Sequence, residues 1–132
     1  MGINWPASGE YNVSAYQMSA LPYVTSSIIS QGEVHRYDFP FVTRFIDVLN
    51  RGSGPTDAIA IGFTENGIRS DVGNYITLDR GVSVNEELRT TTLFVSCSSG
   101  SNVAYQVLCG LTTIPAKFFL PLSASNGHTC VG

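Results

Sequence analysis

The sequence predicts an all-β protein, an antiparallel sandwich of two facing sheets built from about eight strands. Three observations carry this. No window of about 11 residues or more sustains apolar residues at i, i+3, i+4 and i+7, so helices have no periodic signal. Thirteen glycines punctuate a chain whose remaining stretches are rich in Val, Thr, Ser, Ile and aromatic residues, the composition of strands separated by turns. Strand-like runs recur at spacings of roughly 8–14 residues with no helix between them, as in sandwiches and barrels. No internal repeat is present.

Taken in order, residues 1–18 are polar and form an N-terminal arm or first strand, with the strand reading confined to 10–18. Tyr23 to Ser30 is a strand ended by Gln31-Gly32. Glu33 to Phe39 alternates, and Pro40 ends it or places it at a sheet edge. Phe41 to Leu49 carries bulky apolar residues on both faces, Phe41, Phe45 and Leu49 against Val42, Ile46 and Val48, as a strand buried on both sides would. Asn50 to Asp57 is a Gly- and Pro-containing loop. Ala58 to Phe63 alternates small with large. Ile59, Ile61 and Phe63 should face the core, while Ala58, Ala60 and Gly62 lie beneath something close. Glu65-Asn66-Gly67 is a tight turn, and Tyr75 to Leu78 and Val82 to Val84 are short strands.

Glu86 to Cys97 reads as one strand with Leu93, Val95 and Cys97 on one face. It pairs back through the Ser98–Asn102 loop to Val103–Ile114, where Val103, Tyr105, Val107, Cys109 and Leu111 share a face. Ala116 to Leu122 is apolar and reads either as a final strand or as a segment docking into a neighbour. The folded domain spans 19–122, and 123–132 is a polar tail.

Composition limits function. At 132 residues the chain is long enough to bury a sizeable core unaided. Charged residues make up 13%, about half of the roughly 25% usual in soluble domains, so part of a neutral surface is expected to lie against another chain. A net charge of −3 with scattered arginines excludes a basic nucleic-acid face. No apolar run approaches the roughly 20 residues of a membrane helix. The opening residues lack a secretory signal, and Pro6 stands where a myristoylation signal wants Ser or Thr. The expectation is a protein made and kept in the cytosol, or in a particle assembled there. Cys97, Cys109 and Cys130 are odd in number and widely spaced, and read as buried free thiols rather than a disulfide or zinc framework.

The candidates for chemistry are few. Glu33 and His35 project from one strand face and could supply two metal ligands, but no further His or Glu completes the set, so no metal or cofactor is expected. No serine lies in G-x-S-x-G, and Glu86-Glu87 point to opposite faces if extended, so no catalytic residue is assigned. Asp38, Arg44 and Asp47 sit in the most apolar part of the chain, which makes Arg44 a buried or interface ion-pair candidate with Asp47 or Asp38. Trp5, Tyr11, Tyr16, Arg44, Asp47, Phe118 and Phe119 are the candidate interface residues.

The runs Ser19–Ser26 and Asp38–Asn50 are supported by Ile61–Gly67, Thr92–Cys97 and Gly110–Pro115. Together they resemble the small single-jelly-roll virion proteins of large eukaryotic DNA viruses, among them penton and minor capsid proteins. The resemblance spans about residues 19–115 and is one of pattern rather than of a signature motif. It implies an eight-stranded single jelly roll of two four-stranded sheets. It further implies a structural capsid protein without catalytic residues, five copies forming a head-to-tail ring at an icosahedral vertex beside neighbouring capsid proteins, and location in a virion assembled in the host cytoplasm. Two alternatives stay open. One is a carbohydrate- or receptor-binding jelly roll using Trp5, Tyr11, Tyr16, Tyr37 or Tyr75 as stacking aromatics, and the other is a small cupin-type barrel enzyme. Residues 1–15 and 116–132 are expected to contact other subunits or to lie at the inner side of a shell. Deleting residues 1–9 should leave circular dichroism and thermal melting unchanged while impairing assembly measured by size-exclusion chromatography; a truncated chain that assembles normally would remove the arm from the account.

Overall fold

The computed structural model describes residues 20–69 and 73–119. It contains eight strands: β1 (Leu21–Ile29), β2 (Val34–Asp38), β3 (Phe41–Asn50), β4 (Ala58–Gly62), β5 (Ile76–Asp79), β6 (Ser83–Glu86), β7 (Thr92–Ser99) and β8 (Val103–Pro115). A short 3-10 turn, Ala116–Phe118, follows. No helix among the described residues is long and apolar enough to cross a membrane.

The pairing is nested. β4 pairs with β5, β3 with β6, β2 with β7 and β1 with β8, all antiparallel. The chain is thus one long hairpin with its tip at β4–β5. Rolling that hairpin adds the β3–β8 and β4–β7 pairs, which produces two four-stranded sheets in the orders β1-β8-β3-β6 and β2-β7-β4-β5. This is a single jelly roll. We call the first sheet A and the second sheet B.

Period-two alternation fills the space between the sheets. Sheet A contributes Ile29, Ile46, Val48, Val103, Tyr105, Val107, Cys109 and Leu111; sheet B contributes Phe39, Ile59, Ile61, Leu78, Leu93, Val95 and Cys97. The small residues on the other side of β4 have their expected cover. Ile68, in the connection after β4, lies over Ala60 and Phe94, and a Cβ on Gly62 would stand 3.2 Å from Ile68 Cδ1. Glycine therefore lets the chain fold down onto the outer face of sheet B.

Three expectations change. The strand expected from Glu86 to Cys97 starts only at Thr92. β6 belongs to sheet A and β7 to sheet B, so the chain between them must cross from one layer to the other. Thr43 and Thr90 hold that crossing: Thr43 Oγ1 donates to Leu88 O at 2.7 Å and accepts from Thr90 N at 2.9 Å, and Thr43 N donates to Thr90 O at 3.0 Å. Second, β3 is buried on one side only. Ile46 and Val48 face the core, while Phe45, Asp47 and Leu49 are half-buried on the outside. Register shifts between Phe41 and Phe45 divert Val42 into a separate small cluster with Ile114 and Phe119. Third, residues 116–118 form a 3-10 turn rather than a strand, because Pro115 gives up the ladder and Ala116 N bonds Pro40 O at 3.0 Å.

One buried polar residue ties the loop after β3 to strand β5 at the β3 terminus. The Asn50 amide donates to Leu78 O at 2.9 Å and Asp57 O at 3.3 Å, and its oxygen accepts from Gly52 N at 2.8 Å. Asp57 in turn accepts from Gly54 N at 2.9 Å. Gly100 approaches the Asp57 carboxylate so closely, at a positive φ of 100°, that any Cβ there would collide with it. Replacing Asn50 with Ala takes the partner from the Leu78 and Asp57 carbonyls and the Gly52 amide. Urea unfolding of Asn50→Ala should show a loss of about 2–4 kcal/mol at unchanged m-value.

Candidate functional site

A further cluster of polar side chains converges at the margin of the sandwich where edge strands β1 and β2 face each other. Alternation along β8 points Tyr105 inward, and the side chain is completely buried. A buried phenol needs partners for its hydroxyl. Tyr105 finds them across the layers on β2, with His35 Nδ1 at 2.6 Å and the Tyr37 hydroxyl at 2.5 Å. Ser27 of β1 hydrogen-bonds the same phenol. His35 Nε2 faces Glu33 Oε2 at 3.6 Å. Beside this network Tyr23 meets Phe39 edge-on, with ring centroids 4.9 Å apart.

Burial keeps Tyr105, Tyr23 and Cys109 neutral. Burial, reinforced by the Tyr37 hydrogen bond and charge, raises Tyr105 far above its ordinary 10.0, and the Ser27 bond offsets this in part. Burial also raises Tyr23. The Cys109 thiol is pushed by burial, with the negative charge of Asp47 adding, from 9.0 up to about 12. A phenol and a thiol so strongly protonated are poor nucleophiles and bases. What the arrangement does chemically is bridge sheet A to sheet B through hydrogen bonds. As ligands, His35 and Glu33 make a pair without a third: no group of three or more His, Cys, Asp or Glu converges among the described residues.

The surface outside this margin is divided. Sheet B carries charge on β2, where Arg36 Nε donates to Asp38 Oδ1 at 3.0 Å and the guanidinium lies over the Phe94 ring at 5.4 Å. A groove of about 490 Å³ beside it is lined by Glu33, Val34, Ile68, Arg69, Tyr75 and Ser96, among others. Sheet A is different. β1 and β8 contain no Asp, Glu, Lys or Arg, and their outer face exposes Val24, Ile28 and Leu108. Val24 is directly opposite Leu108 and Ile28 opposite Ala104, giving two apolar pairs with the uncharged Ser26–Gln106 pair between them.

The sequence-derived candidates fare unevenly. Trp5, Tyr11 and Tyr16 lie outside the described residues, as do the arm and strand expected within 1–18, Cys130 and the tail. Asp38, a proposed partner of Arg44, pairs with Arg36, while Asp47 accepts from Asn85 at 3.2 Å. Arg44 is half-buried on β3. Phe118 is exposed, and Phe119 packs on Val42 and Ile114. Glu33 and His35 do come together, although Glu33 precedes β2. Cys97 and Cys109 are buried free thiols. Sequence reasoning missed the role of Tyr105. Its only signal was a tyrosine among Val and Cys on the inward row of β8, which demands a polar partner from elsewhere.

Neither family models nor curated proteins match this chain. Among solved structures it is similar to the solution NMR structure of a de novo designed double-stranded β-helix, at 17% identity over 67% of this chain and 96% of that one, with a TM-score of 0.37. A likeness at that score carries no argument, and the fold assignment rests on strand order.

The neutral groups also predict an alkaline limit. A raised pKa in the folded state leaves stability intact below the ordinary values of 9.0 and 10.0, and stability falls as pH climbs through them toward the raised ones. The thermal midpoint should therefore drop on going from pH 9 to pH 12. Tyr105→Phe should lower stability by about 1–2 kcal/mol at neutral pH while flattening the alkaline drop. An unchanged alkaline slope in Tyr105→Phe would mean that Tyr105 does not contribute.

Proposed function

We propose that this chain is a structural virion protein, a penton (vertex) or minor capsid protein whose copies close into a cyclic ring within an icosahedral shell. The observation that carries the reading is the uncharged outer face of β1 and β8 on a single jelly roll. A small domain that leaves Val24, Ile28 and Leu108 in water without a charge among them is built to lose that water against protein. The segments resembling the capsid family fall on the scaffold. Ser19–Ser26 enters β1, Asp38–Asn50 spans the end of β2 and all of β3, Thr92–Cys97 lies in β7, and Gly110–Pro115 ends β8. Its partners on this reading are further copies of itself and neighbouring capsid proteins, with no role for nucleic acid.

A ring of identical subunits needs two different complementary sides. The molecule offers distinct flanks, the β1/β2 margin with its Tyr105 network and the opposite margin formed by the short strands β5 and β6. A second reading, a glycan-binding module, is favoured by the groove beside Tyr75, where an aromatic ring and polar groups meet. Light scattering coupled to chromatography, with negative-stain imaging, tests the first reading. A fivefold ring is expected. A chain that stays monomeric at high concentration and binds a sugar in a glycan screen, with binding lost in Tyr75→Ala, would replace it with the second.

A further inference from the structure

A sheet has two edges, and each edge presents a row of unpaired backbone donors and acceptors to which another strand can add. The described strands leave four edges: β1 and β6 in sheet A, β2 and β5 in sheet B. Three are guarded in the usual way. β5 and β6 are four residues long and include Asp79 and Glu86, respectively; β2 is five residues long and presents Arg36 and Asp38. β1 is not guarded. It runs for nine residues, Leu21–Ile29, without a charge, and its only edge-blocking residue is Pro22 near its start. Its side chains are also incompletely covered. Val24 is 71% exposed and Ile28 59%. On the inward row Tyr23, Thr25 and Ser27 remain half-buried, where Val103, Tyr105, Val107 and Cys109 on neighbouring β8 are buried completely.

We infer that β1 is a docking edge for the β1 strand of a second copy, the two strands pairing antiparallel about a twofold axis into one continuous eight-stranded sheet. The occupant follows from the edges themselves. A guarded edge would bring Arg36, Asp38, Asp79 or Glu86 against an uncharged strand, whereas a second β1 is the one described edge of matching length and matching lack of charge. The strand is also complementary to its own reverse. With Ser26 on the axis, Val24 of each copy stands opposite Ile28 of the other on the outer face, and Thr25 stands opposite Ser27 on the inner one. Leu108 and Val24 of one copy then continue into Ile28 and Ala104 of the other as an apolar row on each side of the Ser26–Gln106 pairs at the axis. Main-chain hydrogen bonds supply affinity, and the paired Val and Ile side chains set the register. This contact rests on the strand edges and not on the capsid reading. It competes with a ring closed through the β1/β2 margin, and the masses of the assemblies tell the two apart.

The test separates them. In a Cys130→Ser background, where Cys97 and Cys109 are buried, Ser26→Cys should be bridged to its mate by a short bismaleimide in high yield. Ser83→Cys, on the far edge, should not. Light scattering should give a dimer or an even multiple. Val24→Lys and, independently, Ile28→Lys should raise the dimer dissociation constant about a hundredfold or more with an unchanged circular-dichroism spectrum, and should lower the thermal midpoint at protein concentrations where the parent is dimeric. Three results would overturn the inference: a ring of five whose mass and stability ignore both lysine variants, which would leave the capsid proposal standing; equal bridging at positions 26 and 83; or a monomer in which the thiol introduced at position 26 is closed to maleimide, showing that another part of the same chain covers β1.

Discussion

The structure depends on β8 being paired along both sides. This strand of thirteen residues joins β1 and β3 into sheet A and carries the inward row Val103, Tyr105, Val107, Cys109 and Leu111 against sheet B. A strand in that position has no edge to solvent and no room for charge on its inner face, and β8 contains no charged residue at all. The nested pairing means that Leu21 meets Leu111, so the outer turn of the roll closes last in sequence distance. Such non-local pairing carries a loop-closure cost that the apolar rows of both strands must offset.

Polar groups inside the sandwich act as fasteners at points where the strands cannot hold one another. Asn50 and Asp57 secure the connections at one end, Thr43 and Thr90 hold the crossing from β6 to β7, and Tyr105 with His35, Tyr37 and Ser27 links the two sheets at the β1/β2 margin. Among the described residues no buried side-chain polar atom lacks a partner. Fully satisfied polar networks of this kind favour one arrangement of the layers over slipped alternatives, because any slip would leave a buried group unpaired.

The two outer faces have been treated differently. Sheet B is covered by its own chain, with Ile68 lying on Ala60 and Phe94. Sheet A retains exposed Val24, Leu108 and Ile28 on β1 and β8. The polar groups at the β1/β2 margin are spent on internal hydrogen bonds, while Val24, Leu108 and Ile28 stand exposed on β1 and β8.

Period-two alternation is a local property of an extended chain, and the amino-acid order alone therefore determined the all-β class, the inward rows of β4 and β8, and the need for cover over Ala60 and Gly62. It also placed Pro115 as the end of β8. Other features depend on neighbours far along the chain and only the tertiary structure decided them. Residues 87–91 alternate well enough to be strand, yet they become a crossing because β6 and β7 lie in different sheets. The hydroxyl of Tyr105 meets residues 68 and 70 positions away, the outer side of β3 is left half-open, and β1 becomes an edge. The physical reason is the same in each case: alternation tells which side chains share a face, but only the global register tells what that face meets.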